Sequence, residues 1–138
     1  MQQADKSGSA GGKPPIHITD ADYDVIADLA IQIEHRSPEL SKMLLDEIER
    51  AEIHSIDAIP ADAVRLGSEV EFFDEASGAT RRVRLVLPFE ADMEAGRMSI
   101  LTPVGAGLIG LTVGQSIDWR LPDGRPRALK ILAVDHAS

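Results

Sequence analysis

The sequence predicts an α+β protein in which a short hairpin of two antiparallel helices precedes a small antiparallel β domain. Three observations carry that reading. Apolar residues recur at helical spacing up to about residue 53, they alternate at strand spacing from about residue 69, and glycine and proline turns punctuate the second region. A length of 138 residues suits one domain with an appendage.

The chain opens with "MQQADKSGSAGGKPP", polar and glycine-rich, without the apolar stretch of a signal peptide; residues 1–15 read as a disordered tail. The helical hairpin is expected over residues 16–55. In "HITDADYDVIADLAIQIEH", Thr19 is placed to cap a helix, Asp22 to close a capping box, and Ile18 to pack on Tyr23. Tyr23, Ile26, Ala30 and Ile33 then form one apolar stripe, with Asp20, Asp24, Asp28 and Glu34 outside it. After "HRSPEL", Ser37 is the next cap, Pro38 takes the first helical position, and Leu40, Leu44, Ile48 and Ala51 form a second stripe. Each helix is expected to run roughly 16 residues, or about 24 Å.

The β domain is expected over residues 56–136. Val70 and Phe72 alternate with Glu69 and Glu71, "EASG" breaks the run, and Val83, Leu85 and Leu87 alternate with Arg82, Arg84 and Val86, which predicts a β-hairpin. Further strands are expected near Met98 to Leu101, Ser116 to Leu121 and Arg127 to Val134, the last two joined by a tight turn at "PDG". Trp119 falls in phase with Ile117 and Leu121 and is expected on the covered face. In "TPVGAGLIG", Gly105, Gly107 and Gly110 let a short helix or turn pack closely, while Gly114 and Gly124 are turn positions.

Composition removes several classes of function. With 43% hydrophobic but only 4% aromatic residues, the core must be aliphatic. The absence of cysteine excludes disulfides, thiolate metal sites and cysteine nucleophiles, and fits a reducing cytoplasm. No run reaches membrane-spanning length. The net charge is −9, and it is uneven: residues 1–62 carry 5 Lys/Arg against 13 Asp/Glu, a net of −8. Such a chain lacks the clustered cations of a free-standing nucleic-acid binder, whereas an acidic front half suits either solvation or a basic partner.

No catalytic constellation is visible. The glycine-rich stretch has neither the Lys-Ser/Thr of a P-loop nor the βαβ setting of a dinucleotide fingerprint. His17, His35, His54 and His136 show no paired spacing, so each reads as a surface or strand residue, and neither metal nor cofactor is expected.

The segment "RVRLVLPFEADMEAGRMSIL" followed by "TPVGAGLIGLTVGQSIDWRLPDG" closely resembles the FKBP-like C-terminal domain of the bacterial GreA/GreB transcript-cleavage factors. The match is carried by Pro103, Val104, Gly105, Leu108, Gly110, Leu111, Val113, Gly114, Ile117, Trp119, Pro122 and Gly124. It is sharper still to the Rnk group, which pairs this domain with a short coiled-coil hairpin. The resemblance implies a non-enzymatic regulator that docks on bacterial RNA polymerase through its C-terminal domain and lays its hairpin at the secondary channel. The docking residues expected from it are Pro88, Phe89, Glu90, Thr102, Pro103 and Val104, although Pro103 also serves simply to end a strand. Glu34, His35, Arg36 and Glu39 would form the hairpin tip.

In GreA/GreB a longer hairpin carries an acidic pair that helps bind the second catalytic metal of the polymerase, and carboxylate oxygens must come within about 2.1 Å of Mg²⁺ to do so. The present hairpin is expected to be too short, and ordinary helix-end solvation accounts for Glu34 and Glu39. Two alternatives follow from the same likeness: a cleavage-stimulating factor with an acidic tip, and more distantly a prolyl isomerase. The isomerase would call for an aromatic-lined pocket, which Tyr23, Phe72, Phe73, Phe89 and Trp119 are too few to build. Neither sequence-specific nucleic-acid binding nor a membrane is expected, and a monomer is the favoured state.

Overall fold

The computed structural model describes residues 14–120 and 125–136, the side chains of Trp119 and Arg120 excepted. The tail before residue 14, the "PDG" turn with Gly124, the strand end at Leu121 and the packing of the Trp119 side chain therefore lie outside the described residues. Elements follow in the order β1 (His17–Thr19), α1 (Asp20–Gln32), α2 (Pro38–Glu49), β2 (Glu52–His54), β3 (Glu69–Asp74), β4 (Ala79–Val86), β5 (Arg97–Ser99), α3 (Pro103–Leu108), β6 (Ser116–Arg120) and β7 (Pro126–Asp135). Two single turns of 3₁₀-helix, Pro88–Glu90 and Met93–Ala95, link β4 to β5.

The hairpin is tied at both ends. Ser41 Oγ donates to the Ala30 carbonyl near the tip, and Glu52 N donates to the Ile16 carbonyl at the base, so α1 and α2 run antiparallel. Thr19 caps α1 as expected, accepting from Asp22 N at 3.1 Å, while the Asp22 carboxylate accepts from Leu66 N of the β domain at 3.1 Å. Ser37 holds the N-cap position of α2 with Pro38 behind it, but its side chain makes no capping bond. The helices have 13 and 12 residues, so they are shorter than expected and reach about 20 and 18 Å at 1.5 Å per residue. Residues 33–37 are spent on the turn.

The apolar stripes hold for Ile26, Ala30, Ile33, Leu44 and Ile48, all buried. Tyr23 departs from its stripe. It is 36% exposed while Ile18 is buried in the core. A polar seam runs beside the stripes: Glu47 is 1% exposed and pairs with Arg50, whose guanidinium also donates to the Pro14 carbonyl. The Pro15 carbonyl likewise accepts from Gln115 Nε2 at 3.4 Å, so Pro14 and Pro15, which composition placed in the tail, are held against the body.

Sheet topology is mixed, with strand order β5-β4-β3-β7-β6. Three pairings are antiparallel, but β5 lies parallel to β4, with Leu85 opposite Met98. This corrects the all-antiparallel expectation. Pro88 starts one 3₁₀ turn, Asp92 caps the next by accepting from Glu94 N, and Gly96 closes it in the left-handed region, so the chain returns to the same end before β5 begins. A tight hairpin turn would have reversed the strand. A second, two-stranded parallel ribbon, β1 with β2, closes the base of the helical hairpin and was not anticipated.

One face of the large sheet is covered. Val70, Phe72, Val83, Leu85, Met98, Ile117, Leu129 and Ile131 join the hairpin stripes and α3 in one contiguous core. Phe72 is fully buried, and burial of a side chain that size contributes about 1.5–3 kcal/mol. The glycine-rich segment is architectural: α3 is seated so close to β5 that a Cβ on Gly105 would lie 2.3 Å from the Ser99 carbonyl oxygen.

Candidate functional site

The expected docking residues split into exposed and structural groups. Because β4 and β5 are parallel, Pro88–Glu90 and Thr102–Pro103 leave their strands at the same end of the sheet; Ile100 N donates to the Val86 carbonyl at 2.9 Å, fixing that junction. Phe89 is 83% exposed and Met93, in the next turn, 51% exposed. Large apolar side chains standing this far into solvent on a rigid turn are the feature of this edge that folding alone does not need.

Glu90 is engaged within its own turn: its carboxylate accepts from Leu87 N at 3.3 Å and its carbonyl from Arg97 Nε at 2.8 Å. Thr102 is the N-cap of α3, accepting from Gly105 N at 3.0 Å and donating to the Ser99 carbonyl at 2.8 Å. Pro103 takes the first position of that helix, half-buried. Val104 is buried at 8% and belongs to the core, so the structure removes it from any contact surface. Its helix turns it inward, a direction that local spacing within a six-residue helix does not reveal.

The second expected group stands at the far end of the hairpin. Glu34, His35 and Arg36 are exposed in the turn and Glu39 in the first turn of α2. None of the described residues covers them, and Glu39 complements the positive end of its helix.

At the hairpin base the strand pairing brings together histidines that lie 37 residues apart in sequence. His17 Nδ1 is 3.0 Å from His54 Nε2, and Glu52 Oε1 stands 3.9 and 3.8 Å from those two atoms. No local spacing signals this trio, since it depends on the register of β1 with β2. His136 is used elsewhere, its ring bonded to Ser68 Oγ at 2.8 Å and to the Ala61 carbonyl at 2.6 Å. Nearby, Asp22 lines a cleft of about 350 Å³ together with Thr19, Ile56, Arg65, Ser68 and His136. Burial there pushes the Asp22 carboxyl above the usual carboxylate range, opposed by the bond from Leu66 N and the charge of Arg65.

Among the described residues no helix is long and apolar enough to cross a membrane. Tyr23 lies exposed on α1, Phe72 is buried in the core and Phe89 stands on the sheet edge.

Comparison with known proteins places this architecture. A family model of the GreA/GreB transcription elongation factor C-terminus matches residues 59–136, and a model of the Rnk N-terminus matches residues 14–53. The "Regulator of nucleoside diphosphate kinase" of Escherichia coli strain K12 is 34% identical over 124 residues, covering 90% of this chain and 91% of that protein. The transcription elongation factor GreA of Rhodospirillum rubrum is 38% identical over 104 residues, covering 75% of this chain and 64% of its own length. The solved structure of a prokaryotic transcription elongation factor GreA/GreB from Nitrosomonas europaea superposes with a TM-score of 0.68 at 31% identity, covering 90% of this chain and all of that one. Helices followed by a mixed sheet are thus an arrangement shared with transcription elongation factors. The chain belongs to the GreA/GreB transcription elongation factor family, and within it to the Rnk group.

Proposed function

We propose that the protein acts in the cytoplasm as a monomeric, non-catalytic regulator that docks on bacterial RNA polymerase and occupies the secondary channel without stimulating transcript cleavage. The C-terminal region, over residues 56–136, would be the docking module, with Pro88, Phe89, Thr102 and Pro103 at the contact. The hairpin, over residues 16–55, would be the channel element. Hairpin length is the observation that supports this most directly: helices of 13 and 12 residues reach only about 20 and 18 Å. Their apolar stripes also belong to the core they share with the sheet, which holds the hairpin against the β domain. The front half, with a net charge of −8, then acts as an acidic plug at the mouth of a basic channel. Long-range attraction would speed association and make binding salt-sensitive, since exposed charges are screened over about 8–10 Å at ordinary ionic strength.

The competing reading is a cleavage-stimulating factor that delivers Glu34 or Glu39 to the polymerase metal, and both are exposed at the tip. A backtracked elongation complex separates the two. The plug should leave the transcript uncut, compete with longer channel factors, and lose only a little affinity in the Glu34→Gln, Glu39→Gln variant. Cleavage by the unmodified protein that disappears in the double variant would sink the plug reading.

A further inference from the structure

Three ligating atoms converge at the base of the hairpin, where β1 enters it and β2 leaves. Parallel pairing sets His17 opposite Glu52 and Thr19 opposite His54, and strand alternation puts His17, Glu52 and His54 on one face of the ribbon with Ile18 and Ile53 on the other. The two imidazoles stand with ring centroids 5.2 Å apart at 35°. A hydrogen bond between His17 Nδ1 and His54 Nε2 explains their 3.0 Å separation but not the position of Glu52 Oε1, nearly equidistant from both nitrogens at 3.9 and 3.8 Å and beyond hydrogen-bond range. A triangle with those three sides has its circumcentre about 2.1 Å from every corner, so a small inward shift of the exposed Glu52 side chain lets an ion sit above the plane at Zn–N and Zn–O bond lengths.

We propose that His17, Glu52 and His54 form a binding site for a divalent transition cation of the zinc class, with water completing the coordination. Two imidazoles and one carboxylate are a donor set for such an ion, whereas Mg²⁺ and Ca²⁺ take oxygen ligands. The histidine side chains are 19% and 21% exposed, so packing holds the rings, while Glu52 at 63% leaves a path from solvent. The acidic front half of the chain favours cation entry. The strands are already positioned by protein contacts: His17 N donates to the Gly110 carbonyl at 3.0 Å and Glu52 N to the Ile16 carbonyl at 2.9 Å. The backbone that carries the three ligands is therefore held in the folded chain, and an ion that replaces the His17–His54 hydrogen bond clips together the two ends of the helical hairpin and stabilises the folded state by mass action. This site is independent of the polymerase-binding reading.

The test uses the full chain, stripped of metal with a chelator and titrated with Zn²⁺ alone. Calorimetry should find one ion per chain, the thermal midpoint should rise with Zn²⁺ but not with equal Mg²⁺, and Co²⁺ should give the visible absorption of a four-coordinate site. His17→Gln and His54→Gln should each weaken Zn²⁺ binding on the order of tenfold or more, Glu52→Gln should weaken it less, and His35→Gln at the tip should change nothing. The proposal is overturned if the wild-type chain takes up no more Zn²⁺ than the His17→Gln, His54→Gln double variant, or if Mg²⁺ shifts the midpoint equally. Should the histidine variants fail to fold, the wild-type Co²⁺ spectrum and the exposed Glu52→Gln variant decide, and the absence of four-coordinate absorption or unchanged binding in Glu52→Gln would overturn it.

Discussion

Ser41 Oγ donates a 2.7 Å hydrogen bond to the backbone carbonyl of Ala30, inside the hairpin and away from water. Ala30 lies in the last turn of α1, where carbonyls run out of intrahelical amides; its neighbours Leu29 and Ile31 are reached by the amides of Ile33 and Glu34. A side chain from α2 thus satisfies the end of α1 and fixes the helices next to the tip. Replacing Ser41 with Ala leaves a buried acceptor unpaired, and the urea midpoint should report a loss of about 1–3 kcal/mol. An unchanged midpoint would show that water or a backbone shift replaces the bond.

Gly110 sits where three segments cross, with its amide on the Val64 carbonyl and its own carbonyl accepting from His17 N. Its φ is +81°, and a Cβ there would lie 2.8 Å from Ile16 Cβ. Gly110→Ala should cost about 2–5 kcal/mol, combining left-handed strain with overpacking. Gly114, at φ +91° with open space around it, is the control: Gly114→Ala should cost only the backbone part, about 1–2 kcal/mol. Equal losses in thermal unfolding would mean that the Ile16 contact yields freely.

Burial raises the Asp22 carboxyl above its ordinary value. The native state then holds the proton more tightly than the unfolded chain, so this group favours folding most below its ordinary pKa of about 3.9, and that contribution is lost as pH rises through the raised native value. Asp22→Asn keeps an acceptor for Leu66 N and cannot ionise. The stability of wild type relative to this variant should therefore grow as pH falls from neutral toward about 4 and flatten below it. Denaturation curves across that window check it, and a pH-independent difference would contradict the desolvation.

Substitutions at Phe89 and Pro103 test the proposed polymerase contact. Phe89 is 83% exposed, so Phe89→Ser should leave the thermal midpoint within error while weakening capture of the protein by RNA polymerase. Pro103→Asn should act in the same direction, with a small stability cost because Pro103 starts α3. Loss of stability equal to loss of binding in both variants would assign these residues to folding. Loss of neither would move the contact elsewhere.

Much of this protein is local and was legible in its sequence. The Thr19 cap, the stripes through Ile26, Ala30, Leu44 and Ile48, and the alternation of Val70, Phe72, Val83 and Leu85 follow from the fixed periods of helix and strand, which each segment expresses without its neighbours. The glycine-rich segment was legible as a closely packed short helix or turn, but its start at the Thr102 cap and Pro103 was found only in the structure. Only tertiary structure decided that β5 runs parallel to β4, that Val104 points into the core while Phe89 points into solvent, and that Asp22 turns to Leu66. It alone brought His17 to within 3.0 Å of His54 across 37 residues. Such relationships depend on which distant surfaces bury each other, and the free energy of that choice is shared by the whole core, so no single stretch of residues carries it.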